Sequence, residues 1–110
     1  MYPIKNEEIL EVAVEASLAA SDIIMEAAHN PLIKKVKKSD SDLVTHTDLK
    51  SEKVIKSFII KNFPGHSILA EESDQIYNTS DYLWVIDPLD GTTNFVHGYP
   101  SFSVSIGAYY

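Results

Sequence analysis

Asp87 directly follows the apolar run LWVI at 83–86, and Asp90 comes shortly after it across a proline, in the string DPLDGTTNF. A proline that ends a strand and fixes a turn would hold both carboxylates near the strand's end. Two carboxylates forced together repel, so one must take up a proton or both must share a cation. A hard divalent cation with oxygen ligands suits such a pair, and the carbonyl of Leu89 offers a further oxygen. Glu71 and Glu72 also follow a short apolar segment, SILA at 67–70. If the two segments are neighbouring strands, Glu71 joins the same cluster. Singly, each feature has a plainer reading. Asp, Pro and Gly are turn formers, and a Glu pair at a strand end is usually solvated. Acids at the ends of two apolar strands together favour a metal site.

Gly91-Thr92-Thr93 adds a second function. A glycine followed by small hydroxyl residues at a helix start presents free backbone amides and the positive end of the helix, where phosphate binds. Asp90 would then be the N-cap, which is also the ordinary structural use of the string. Alone, the acids would repel a phosphate; with divalent cations among them they attract one. Other chemistries lack residues. The chain has no cysteine, which removes disulfides, thiolate metal sites and cysteine nucleophiles. His29, His46, His66 and His97 show no zinc-binding spacing and read as surface or packing residues. The nucleophile would have to be water.

These residues need elements to position them. Ile9, Val12, Ala13, Ala16, Ala20, Ile23, Ile24 and Ala27 fall on one face of a 3.6-residue period and predict a long first helix. Asn6 is its expected cap, and His29, Asn30 and Pro31 end it. Residues 33–42 read as a lysine-rich surface loop, and LVTHT at 43–47 as a short strand. Asp48 stands at a helix start. Val54, Ile55, Phe58 and Ile59 mark the buried side of the second helix, which Phe63-Pro64-Gly65 stops. SILA is a short strand, 73–81 a loop, and LWVI a strand buried on both faces. Phe102, Val104, Ile106 and Ala108 alternate with small residues, as in a half-buried strand. Trp84 and Tyr109 read as core. The pattern predicts an α+β or layered α/β fold.

Composition bounds the rest. The chain has 110 residues, of which 45% are hydrophobic and 23% charged, as in a globular domain. Its net charge of −7 argues against nucleic acid or an anionic membrane as partner. The start, MYPIKNEEILEV, has no apolar core of signal-peptide length, and no membrane span is present, so a cytoplasmic protein is expected. The chain stops at VSIGAYY, inside an alternating run. Residues 1–110 are therefore expected to be one partial domain, the N-terminal portion of a longer one.

The string WVIDPLDGTTNFVHGYP resembles the signature of the inositol monophosphatase family. AEES at 70–73 and DLVTHTD at 42–48 resemble two earlier motifs of that family, in the correct order. The resemblance implies the N-terminal part of an αβαβα sandwich, the sugar-phosphatase fold. It also implies Mg²⁺-dependent, lithium-sensitive hydrolysis of a small phosphorylated polyol, inositol monophosphate foremost, by activated water. A nucleotide bisphosphate or histidinol phosphate is the alternative substrate. By position, Glu71, Asp87, Asp90 and the Leu89 carbonyl would hold Mg²⁺, and Glu72 would support a weaker ion. Asp48 and Thr92 would polarise the water, with Glu71 holding it, and Glu71, Gly91, Thr92 and Thr93 would hold the phosphate. Lys37 matches a lysine near the site. The resemblance also implies a homodimer at full length, and a bare chain that is inactive for want of later residues. From a different class, a non-catalytic short form would bind metal or a full-length subunit.

Overall fold

The structure is a computed structural model that describes residues 5–29, 43–71 and 75–110, together with 35–37; segments 35–37 and 43–45 are described by their backbone. Helix α1 spans Asn6–Ala28. Its buried residues are Val12, Ala16, Ala20 and Ile24, a four-residue spacing that puts small side chains along the contact line. Small residues there let a second helix approach closely. Asn6 is not the cap. Lys5 is, in extended conformation and without a side-chain bond. The Lys5 carbonyl accepts the amides of Glu8 (3.0 Å) and Ile9 (3.3 Å), so the helix has already begun at Asn6. His29 closes the other end, its amide donating to Glu26. Asn30 and Pro31 lie outside the described residues.

Strands β1 (Lys35–Lys37) and β2 (Leu43–Thr45) pair antiparallel, with Val36 opposite Val44. Part of the expected 33–42 loop is therefore a strand. Valine between lysines in the first and an apolar pair in the second give each enough β character to pair. The second strand is shorter than expected because helix α2 (His46–Asn62) starts early. Asp48 lies in its first turn, where the positive helix end favours an acid. Its buried face reads Thr47, Asp48, Ser51, Glu52, Ile55 and Ile59, polar in its first half and apolar in its second. The Phe63 amide donates to Ile59, and Pro64-Gly65 then ends the run.

The remaining strands form one mixed sheet in the order β3 (Ser67–Ala70), β4 (Leu83–Asp90), β5 (Ser103–Tyr109). β3 runs parallel to β4, and β4 antiparallel to β5. Both helices pack on one face. Trp84, Ile86, Ile68 and Ala70 meet Val12, Ala16, Ala20, Ile55 and Ile59 there in one apolar core. LWVI is thus not equally buried on both faces: Trp84 and Ile86 are buried while Leu83 and Val85 are half-buried, because helices cover only the first face. Tyr109 is not core. It is 60% exposed, at the far end of β5. Among the described residues no helix is long and apolar enough to cross a membrane. The layered α+β class expected from the pattern is the one observed.

Candidate active site

The site is built where β3 ends beside β4. Ala70 stands opposite Ile86 in the parallel ladder, so Glu71, just past β3, and Asp87, still within β4, follow at one level. They line one cavity of about 310 Å³ with Leu69, Ala70, Val85, Ile86 and Ser105. The neighbouring-strand condition for Glu71 is therefore met. Gln75 holds the end of β3. Its side-chain amide accepts from the Ala70 amide at 2.9 Å and donates to the Ala70 carbonyl at 2.7 Å, as a paired strand would. Ile76 bridges Ile68 beside it, so part of the expected 73–81 loop covers the β3 edge. Glu72 lies outside the described residues, and the Lys37 side chain with it.

β4 does not end at Ile86, as a turn at Pro88 would require. It continues to Asp90 through an irregularity. Asp87 pairs with Ser105 and Asp90 with Ser103, so Pro88 and Leu89 together face the single residue Val104. This is a β-bulge, a place where a proline without an amide hydrogen can sit inside a sheet. Its consequence for the acids is direct. Asp87 lies at the cavity, whereas Asp90 is exposed and outside its lining. Among the described residues, no three acids or histidines are gathered as a metal-holding group.

Gly91 has a φ of 85°, the left-handed region, and is itself the N-cap of the short helix α3 (Thr92–Val96); Asp90 is not. A Cβ on Gly91 would lie 2.7 Å from the Ser101 carbonyl oxygen, so both its conformation and its surroundings require glycine. The first turn bond of α3 is Phe95 amide to Gly91 carbonyl, at 3.0 Å. The amides of Thr92 and Thr93 precede it and have no partner within the helix.

Two bonds tie this segment to α2, one part-buried and one buried. The Thr92 hydroxyl lies 2.9 Å from Asp48 Oδ2 and 3.0 Å from the Leu89 carbonyl oxygen, and shares its one proton between them. Asp48 is only 1% exposed. Ser51, one turn further along α2, donates its hydroxyl to the Pro88 carbonyl at 2.8 Å. Sequence reasoning passed over Ser51. The signal was available, since Ser51 falls on the same helical face as Asp48, Ile55 and Ile59.

One polar atom remains unmatched. Asp87 Oδ1 is buried and has no hydrogen-bond partner among the described residues. Burying a carboxylate oxygen without a donor is costly, and such atoms are rare in folded proteins. An oxygen-seeking cation would satisfy it, and the Glu71 carboxylate and the Leu89 carbonyl are oxygens of the kind Mg²⁺ takes. The donor set thus fits a hard divalent cation. Bound there, the ion would acidify a water and neutralise charge on phosphate oxygens.

A parallel–antiparallel sheet under two helices, with acids at the strand ends and a glycine-threonine turn after them, defines a class before any comparison. The solved extragenic suppressor protein suhB of Bartonella henselae has a similar fold, at TM-score 0.88 and 35% identity, over 93% of this chain and 40% of that one. The profile of the inositol monophosphatase family matches residues 5–110, and the chain belongs to that family. Among curated relatives, phosphatase IMPL1, chloroplastic, of Arabidopsis thaliana is 50% identical over 97% of this chain and 29% of its own length. Inositol monophosphatase 1 of Sus scrofa is 44% identical over 92% of this chain and 38% of its own. The chain therefore spans between a quarter and two fifths of the length of these relatives.

Proposed function

We propose that these residues belong to a Mg²⁺-dependent phosphatase that hydrolyses a small phosphate monoester, with inositol monophosphate the favoured substrate. The observation that carries the reading is the buried Asp87 Oδ1, unmatched among the described residues, beside Glu71 in one cavity. Glu71, Asp87 and the Leu89 carbonyl would hold one metal at the cavity, and Asp90, outside its lining, would serve a second. The other residues have work of their own. Asp48 accepts the Thr92 proton, which turns the lone pairs of Thr92 Oγ1 outward, ready to take a hydrogen bond from the attacking water. The amides of Thr92 and Thr93, which have no partner within the helix, would donate to phosphate oxygens. Gly91 lets the backbone come close at that point.

Kinship supports the choice of substrate, since one relative carries inositol monophosphatase in its name. The relatives' greater length bears on the expected rate. Their substrate-reading groups can come from stretches that these 110 residues do not match, so this chain alone is expected to turn over slowly or not at all. The test is phosphate release from inositol 1-phosphate, with histidinol phosphate and a nucleotide bisphosphate beside it. It is run with and without Mg²⁺, with added lithium, on this chain and on a chain of the relatives' length that contains it. The longer chain should release phosphate only with Mg²⁺, and Asp87→Asn should abolish release. Metal-independent release, or release that survives Asp87→Asn, would refute the reading.

A further inference from the structure

The bulge in β4 has a partner outside the sheet. Pro88 and Leu89 face one residue of β5, so the ladder leaves the bulge carbonyls without their ordinary strand partners. The Pro88 carbonyl is taken by Ser51, whose side chain is fully buried and whose bond reaches across 37 residues of sequence. The Leu89 carbonyl is taken by Thr92, which Asp48 also holds. Asp48 and Ser51 are one turn apart on α2. The helix therefore grips the segment from Pro88 to Thr92 at two points. Serine inside a helix ordinarily turns its hydroxyl back to a carbonyl of its own helix. Ser17, Ser21 and Ser57 do so here, on exposed or part-buried surfaces. Ser51 instead spends its proton on Pro88.

We infer that Ser51 is a positioning residue for the cation site: its hydroxyl, given to the Pro88 carbonyl, fixes the bulge and so the placement of the Asp87 carboxylate relative to the Leu89 carbonyl. The inference rests on the reading of Asp87 and Leu89 as cation ligands proposed above. The geometry argues for it because the peptide held by Ser51 lies between those two ligands. Release of that peptide lets the bulge slide by a residue, and a one-residue slip in a strand exchanges its faces. Groups that orient metal ligands from behind commonly change metal affinity by about 10–100-fold when lost.

The test uses the 110-residue chain with Mn²⁺ as probe. Mn²⁺ affinity is measured for the unsubstituted chain and for Ser51→Ala, Ser51→Thr and Asp87→Asn, the last as blank. Amide hydrogen exchange is followed on the same metal-free proteins. Ser51→Ala should weaken Mn²⁺ about tenfold and speed exchange at 88–91 while α1 keeps its protection, and Ser51→Thr, which keeps the hydroxyl, should restore at least part of the affinity. Unchanged Mn²⁺ affinity in Ser51→Ala would overturn the inference. So would exchange that rises equally across α1, α2 and the sheet, since that marks a loss of general stability. Absence of any Mn²⁺ binding that depends on Asp87 in the unsubstituted chain would overturn the cation reading and this inference together. That result is distinct from normal binding by Ser51→Ala.

Discussion

The Thr92 hydroxyl is the most informative single group outside the carboxylates. It stands between a buried carboxylate on α2 and a bulge carbonyl on β4, and it has one proton for both. A hydrogen bond to a charged group contributes about 1.5–3 kcal/mol. Thr92→Val keeps the shape and removes the hydroxyl, so it should destabilise the chain by about that amount, whereas Thr92→Ser should stay within about 0.5 kcal/mol. Urea unfolding of the two variants checks this, and equal stability would mean the bond contributes little. Glu71 and Asp87 could be paired because each closes an apolar run. What the sequence could not show is the bulge. A proline after an aspartate reads as a turn, and only a strand on the other side, with its own register, turns that proline into part of a sheet.

At the scale of elements, an aromatic stack locks β3 and β4 together beside the apolar core. The His66 ring lies between Phe63 and Tyr82, each with its ring centre 4.6 Å away. The Trp84 indole donates to His66 Nδ1 at 2.9 Å. An indole nitrogen can only donate, so Nδ1 must be the unprotonated nitrogen and the neutral ring carries its hydrogen on Nε2. Burial pushes the His66 pKa below its ordinary 6.5. The unfolded chain therefore takes a proton at His66 more readily than the folded one. Stability is fully present above about 6.5 and falls as the pH drops through the folded-state value. His66→Phe, which keeps the stack and cannot titrate, should flatten this slope between pH 7 and 5. Thermal unfolding across that range checks it, and an unchanged slope would place the pH dependence elsewhere. The four histidines carry no sequence pattern, so His66 could be read only as surface or packing. The helices were easier, because the α1 period is unbroken over 23 residues. Its cap was not, since Lys5 uses its backbone where Asn6 offered a side chain.

At the scale of the molecule, the layers divide the labour. The helices cover one face of the sheet, and Glu71 and Asp87 share a cavity where β3 ends beside β4. The apolar periods of α1 and α2 and the alternation in β5 made this class of fold legible from the sequence. The pairing of residues 35–37 with 43–45 was not, because three residues give no measurable period. Nor was the join between α2 and the bulge. Asp48 and Thr92 stand 44 residues apart, and Ser51 and Pro88 stand 37 apart, so the contacts exist only once the sheet is formed. The proposed chemistry depends on one atom, the buried Asp87 Oδ1, and on the cation assigned to it. The most direct measurement is a Mg²⁺ titration of the chain, followed through the carboxyl ¹³C resonances of its acids. Glu71 and Asp87 should shift together and saturate, while Glu7 and Glu8 in the first turn of α1 stay still, and Asp87→Asn should abolish the response at Glu71. Carboxyl resonances that do not move at Glu71 and Asp87, or that move no more than those of α1, would contradict the account.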